Sequence, residues 1–193
     1  MTPDDVLDFW IGAPAADHDS FMNKVKRWFR VDKTLDAEIR TRFGDAVQKA
    51  RDGALDDWAK TPRGRLALII LLDQFTRNVF RDTPRAFAGD ARALAAAQAM
   101  VASGADRALS PQLRAFVYLP FEHAEDAAPQ DEAVRLFARL VDEASELHAL
   151  LDYAQRHRAV VQRFGRFPHR NEILGRVSSA EETAFLREPG SRF

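Results

Sequence analysis

The stretch Arg163-Phe164-Gly165-Arg166-Phe167-Pro168-His169-Arg170-Asn171 packs three arginines, a histidine and an asparagine around two phenylalanines. Guanidiniums grip carboxylate or phosphate through two parallel N–H donors. Crowding several of them together costs mutual repulsion unless anions lie close by. The phenylalanines need a core, and Gly165 and Pro168 let the backbone leave a helix sharply. The segment is therefore expected at the mouth of a site, with Arg163, Arg166, His169, Arg170 and Asn171 around an anionic group. Arg166 and Arg170 are the two expected to hold it. Neutralisation by Glu122, Glu125, Asp126 and Asp73 explains the same arginines, and residue types leave both explanations open.

Two other clusters have chemistry-bearing types. Asp73, Gln74, Arg77 and Asn78 crowd the polar end of an otherwise apolar helix. Asp73 and Arg77 are spaced to pair with each other at i and i+4. The alternative is that Gln74, Arg77 and Asn78 face a cavity and hold a ligand. Glu122, His123, Glu125 and Asp126 are metal-ligand types, but Glu122 and His123 are adjacent and diverge by roughly 100° on a helix. Helical metal motifs place their ligands on one face. No metal and no cofactor are therefore expected. Residues 120–150 carry eight acids and two arginines, whereas residues 155–176 carry six arginines and one acid, so the two regions are complementary in charge. His157 falls on an apolar stripe, where a hydrogen-bonded core histidine is the common case. An acid–base role for it needs His123 and His169 as neighbours.

Helices must position these groups. Thr2 caps a first helix carrying Val6, Phe9 and Trp10, which Gly12-Ala13-Pro14 ends. Phe21, Val25, Trp28 and Phe29 recur at helical spacing. Asp32 opens a long helix with the stripe Leu35, Ile39, Phe43, Ala46, Val47 and Ala50. Thr61-Pro62 opens a helix that is apolar all round from Leu66 to Leu72, so it must be covered on every side. An alanine-rich helix is expected from about Asp90 to Ser103. Ser110-Pro111 begins another, expected to kink at Pro120 and run on through the Glu122–Asp126 cluster. Two more are expected over about 130–146 and 147–164, then a short one capped by Ser178 or Ser179. No segment alternates like a strand. The fold class is all-α, a single domain over 1–193 of stacked antiparallel helices, with a tail from Glu188 to Phe193 free to fray.

The chain has 193 residues, 46% hydrophobic and 30% charged, with a net charge of −1 and a pI of about 6.5. That balance speaks against a general nucleic-acid or membrane-surface binder. There is no cysteine, which excludes disulfides, thiolate catalysis and cysteine zinc sites. The start lacks the basic and apolar stretches of a signal peptide, and a cytoplasmic location is expected.

Leu72-Asp73-Gln74-Phe75-Thr76-Arg77-Asn78-Val79-Phe80-Arg81 with Thr83–Ala88, Tyr118-Leu119-Pro120-Phe121-Glu122-His123-Ala124-Glu125-Asp126, and Arg163–Asn171 occur in that order. Gly175-Arg176, then Ser179-Ala180-Glu181-Glu182 with Phe185-Leu186, close the chain. Together they resemble an uncharacterised, mostly bacterial family catalogued as domain of unknown function 924. The chain departs slightly at Thr76, where proline is common, and at Ala124, where serine is common. The resemblance implies an all-helical fold related to tetratricopeptide proteins and carries no activity with it. Two functions follow as expectations: a site for a small anionic phosphate or carboxylate ligand, or a helical scaffold docking a peptide or protein partner.

Overall fold

In the computed structural model, residues 1–12, 24, 27, 28 and 30–192 are described, and every regular element among them is helical. Helix α1 (Pro3–Trp10) begins in a capping box in which Thr2 and Asp5 satisfy each other's backbone N–H groups. Helix α2 (Lys33–Arg51) is capped by Asp32, whose side chain accepts from the N–H groups of Thr34 and Leu35. Its stripe Leu35, Ile39, Phe43, Ala46, Val47 and Ala50 is buried. The short helix expected on Phe21, Val25, Trp28 and Phe29 lies outside the described residues, apart from Trp28. The Trp28 ring meets Phe116 edge-on at 4.9 Å, and its indole N–H donates to the Trp10 carbonyl.

Helix α3 (Pro62–Ile70) is the covered centre: Leu66 to Ile70 are all buried. It passes without a break into a π-helical turn (Leu71–Phe75) and then α4 (Thr76–Val79). The wider turn closes with the Thr76 N–H donating to the Leu71 carbonyl, and the Thr76 hydroxyl donates to the same oxygen at 2.9 Å. Such turns insert one residue into a helix and occur often at functional sites. Helix α5 (Asp90–Ala102) packs on α3, and its entry residue Gly89 touches the turn: a Cβ there would lie 2.1 Å from the Leu72 carbonyl oxygen. Phe9, Trp10, Phe43, Phe75 and Phe116 form a connected set of ring contacts at the core, with centroids 4.9–6.4 Å apart.

Helix α6 (Pro111–Glu122) holds Pro120 near its C-terminal end and stops two residues later. The expected continuation through Asp126 is therefore corrected. The chain turns at His123–Glu125, and Asp126 is instead the N-cap of α7 (Ala127–Glu143), accepting from the Ala128 N–H at 3.0 Å. Gln130, fully buried, donates its side-chain amide to the carbonyls of Glu122 and Ala124, which closes the end of α6. Helices α7 and α8 (His148–Phe164) pack closely on each other, and α6 packs on α7. Gly165, at φ +69°, ends α8 in the left-handed conformation that glycine adopts without strain. A single 3₁₀ turn (Pro168–Arg170) follows, and α9 (Ala180–Phe185) starts in a Ser179–Glu182 capping box. Within the tail, Arg156 donates to the Gly190 carbonyl at 3.1 Å and Ser191 is buried. No helix among the described residues is long and apolar enough to cross a membrane.

Candidate functional site

The π turn sets Asp73 where α3, α5 and α6 meet, with its carboxylate almost wholly buried. One oxygen lies 2.7 Å from His123 Nδ1, and the other accepts from the Gln74 amide. Arg77, one turn on, reaches the first oxygen at 3.4 Å and donates to the Asp73 backbone carbonyl at 2.8 Å. Burial by itself would raise the carboxyl, but the charges of His123 and Arg77 and the hydrogen bonds outweigh it and hold Asp73 below the usual carboxylate range. An ionised carboxylate only accepts, so the His123 proton belongs on Nδ1.

Arg77's strongest partner is Asp90, the first residue of α5, through a fork of 2.7 and 3.1 Å. The same carboxylate faces Arg170 at 3.4 Å. Arg81 forms a second fork with the buried Asp36 of α2, which also accepts from Asn78 at 2.8 Å. On the opposite wall, His157 Nδ1 lies 2.9 Å from both Glu122 Oε1 and the Tyr153 carbonyl. Its ring centre is 6.2 Å from that of His123. Glu122 Oε2 is buried and has no hydrogen-bond partner among the described residues.

The arginine-rich turn is shaped from below by the small cluster Val160, Val161 and Phe167, joined by Phe164 and Phe185. Glu125 locks it in place, accepting from the Phe167 N–H at 2.8 Å and from Arg176 at 2.6 and 2.9 Å. Burial opposes ionisation of Glu125, yet these donors hold its carboxyl below the usual value. The turn then directs Arg170 inward, its guanidinium 4.5 Å from the Phe167 ring centre and 4.8 Å from that of Phe87. Arg170 is buried, and its Nε has no hydrogen-bond partner among the described residues. Burial and the nearby Arg77 lower it to about 10. Burial, followed by the charges of Arg170 and His157, pushes His169 down to about 3, so this ring is neutral at ordinary pH.

These groups surround a cavity of about 250 Å³. Arg77, Arg81 and Arg170 line it together with His123, His157 and His169, and Phe87 and Ile173 supply apolar wall. Asp82 contributes an acid at the rim of α4, in a left-handed turn at φ +63°. Among the described residues, no group of three His, Cys, Asp or Glu side chains is placed to hold a metal ion.

Six of the residues singled out from sequence are thus brought together: Asp73, Arg77, His123, His157, His169 and Arg170. The others serve the frame. Gln74 holds Asp73, Asn78 holds Asp36, and Glu122 holds His157. Asn171 donates to Ser178 and accepts from Arg176, while Asp126 caps α7. The largest departure concerns Arg166, which was expected to hold the anion. Its Nε and Nη2 fork onto Glu182 at 2.7 and 2.8 Å, and Nη2 also donates to the Val177 carbonyl at 2.9 Å, so these two nitrogens are turned to the C-terminal segment. Arg163 pairs with Glu181 on the surface. Arg163 and Arg166 are thus paired with Glu181 and Glu182, while Arg170 has one long contact to Asp90 and feels the charges of Glu125 and Asp73, two of the four acids expected. Sequence reasoning missed Asp90 and Arg81 as site residues. Arg81 closes the first motif, which was the available signal. Asp90 looks like an ordinary first-turn acid, and only the packing of α5 reveals it.

A family model described as "Bacterial protein of unknown function (DUF924)" matches residues 6–190. Among solved structures, the chain is similar to a protein of unknown function, ATU0120, from Agrobacterium tumefaciens, at 40% identity and a TM-score of 0.83 over 96% of each chain. No curated protein matches.

Proposed function

The chain belongs to this DUF924 family of bacterial proteins of unknown function, and we propose that its arginine- and histidine-lined cavity binds a small anionic ligand through a phosphate or carboxylate group. Arg170 carries this reading. A buried guanidinium normally has its donors satisfied and its charge paired. Arg170 lines the cavity, has one long contact to a carboxylate that is already committed to Arg77, and keeps a buried Nε with no hydrogen-bond partner among the described residues. An oxyanion in the cavity supplies what is missing. The volume lies below the roughly 300–1,000 Å³ of drug-sized pockets, which suits a small metabolite. A tetratricopeptide-like scaffold docking a peptide or protein is the alternative. It needs the polar motifs closed on one another, and the unpartnered Nε of Arg170 argues against that.

The test is thermal unfolding with phosphate, sulfate and small carboxylates against chloride at matched ionic strength. A ligand bound only by the native state stabilises it by mass action, about 2.7 kcal/mol at one hundred times Kd. The wild-type midpoint should rise, and Arg170→Met, which keeps the stem and removes the donors, should lose the increment while its circular dichroism stays helical. An unmoved wild-type midpoint across the anions, or a full increment in Arg170→Met, rejects the reading.

A further inference from the structure

Asp73 and His123 do more than close a salt bridge. Asp73 is 1% exposed and grips the Nδ1 edge of the ring at 2.7 Å, while the ring itself lines the cavity. With the proton on Nδ1, the neutral ring presents Nε2 as an acceptor on the edge away from Asp73. A buried carboxylate that stays ionised fixes the tautomer and stabilises the imidazolium once it forms. Arg77 and Arg170 stand in the same cavity, at the place assigned above to an anion.

We infer that His123, oriented by Asp73, is the proton-transfer residue of this pocket, and that the ligand is a substrate: a small phosphate- or carboxylate-bearing molecule with a hydroxyl beside its anionic group. The inference rests on the anion reading above. In the step, Nε2 takes the hydroxyl proton. The O–H bond breaks, an N–H bond forms, the electron pair stays on the oxygen next to the guanidiniums, and the imidazolium is paired with Asp73. The other imidazoles are placed differently. His157 shares its Nδ1 between Glu122 and a backbone carbonyl, and His169 is kept neutral by burial and Arg170. The titratable and charged groups around His123 are Asp73 and Arg77 beside it, His157 with Glu122 across from it, and Arg170, His169, Arg81 and Asp82 along the cavity. A bound anion would give an imidazolium at His123 a second counter-ion, so anion binding makes Nε2 the stronger base and is linked to proton uptake.

The experiment is calorimetric titration with sulfate, which has no titrating proton near neutral pH, in buffers of different ionisation enthalpy. Wild type should bind sulfate with uptake of a measurable fraction of a proton. His123→Asn keeps an amide donor to Asp73 and should bind sulfate without uptake. Asp73 is a positioning residue, and Asp73→Asn should likewise lose the uptake. Sulfate binding without uptake in wild type overturns proton transfer and leaves the anion site standing. Uptake that persists in His123→Asn overturns the assignment to this ring. Absence of sulfate binding sinks the anion site and this inference with it. Should His123→Asn fail to fold or bind, the ring ¹⁵N resonances of wild type decide: sulfate must move His123 Nε2 with Nδ1 still protonated, and an unmoved signal overturns the inference.

Discussion

Asp73 illustrates how much one buried charge depends on its partners. Removing one side of a buried, hydrogen-bonded pair leaves the other uncompensated, typically at a cost of about 3–5 kcal/mol. Asp73→Ala strands His123 and leaves Arg77 with Asp90 alone, so its urea unfolding free energy should fall by roughly that amount. The sign of the pH effect follows from the lowered carboxyl. Its contribution is complete above the unfolded value near 3.9 and is lost as pH falls through the lower folded value. His169 acts over a higher window. Its folded value is about 3 against an ordinary 6.5, so the unfolded chain takes up a proton that the folded chain refuses. Stability should therefore decline as pH falls from about 6.5 toward 3, with at most about 1.4 kcal/mol per pH unit from this group. His169→Gln should flatten that part of the profile in urea titrations at several pH values. An identical slope in the variant assigns the acid sensitivity to other residues.

At the level of elements, the π turn is the device that places Asp73, and Gly89 is what lets α5 lie against it. A methyl at Gly89 meets the Leu72 carbonyl oxygen at 2.1 Å, a backbone atom that cannot swing aside. Gly89→Ala should destabilise by about 1–3 kcal/mol, the usual cost of overpacking. Gly44, inside α2, has nothing within 4 Å of a built Cβ, so Gly44→Ala should stabilise by up to about 1 kcal/mol. Both are read by denaturant unfolding, and equal signs contradict this packing. Arg166 belongs to this scale too. Its fork holds Glu182 down to about 2, and Glu182 also accepts from the Ser179 N–H. Arg166→Ala should leave any sulfate-induced stabilisation intact while raising amide exchange between residues 177 and 190. Loss of the sulfate increment in this variant instead returns Arg166 to the site. The helices themselves were legible because Thr2, Asp32, Thr61 and Ser179 each mark a start by accepting a backbone N–H. The π turn was not, because no residue type signals an inserted position. The end of α6 was misjudged because the groups after Pro120 fit helical spacing, whereas Gln130 from the next helix closes the turn. Glu182 was legible as a capping residue and hid its second task, since the sequence holds no trace of a partner sixteen residues back.

Across the whole molecule, the near-neutral net charge hides a separation that only folding creates. Carboxylates from α2 and α5 are consumed in forks with Arg81 and Arg77, the one on the π turn is held by His123 and Gln74, and Arg170 arrives from the far end of the chain onto an acid already in use. Complementary charge between the acidic and basic regions was visible in the sequence. The specific pairing was not, because it depends on which helix ends meet around the covered α3. The account therefore turns on whether the cavity receives an anion. The direct measurement is a crystal structure of the protein soaked with selenate, an oxyanion of sulfate's shape with an anomalous signal. One ordered selenate is predicted inside the cavity, within hydrogen-bond distance of the Arg170 guanidinium and in contact with Arg77. A cavity that holds only water, with selenate confined to surface arginines such as Arg163, contradicts it.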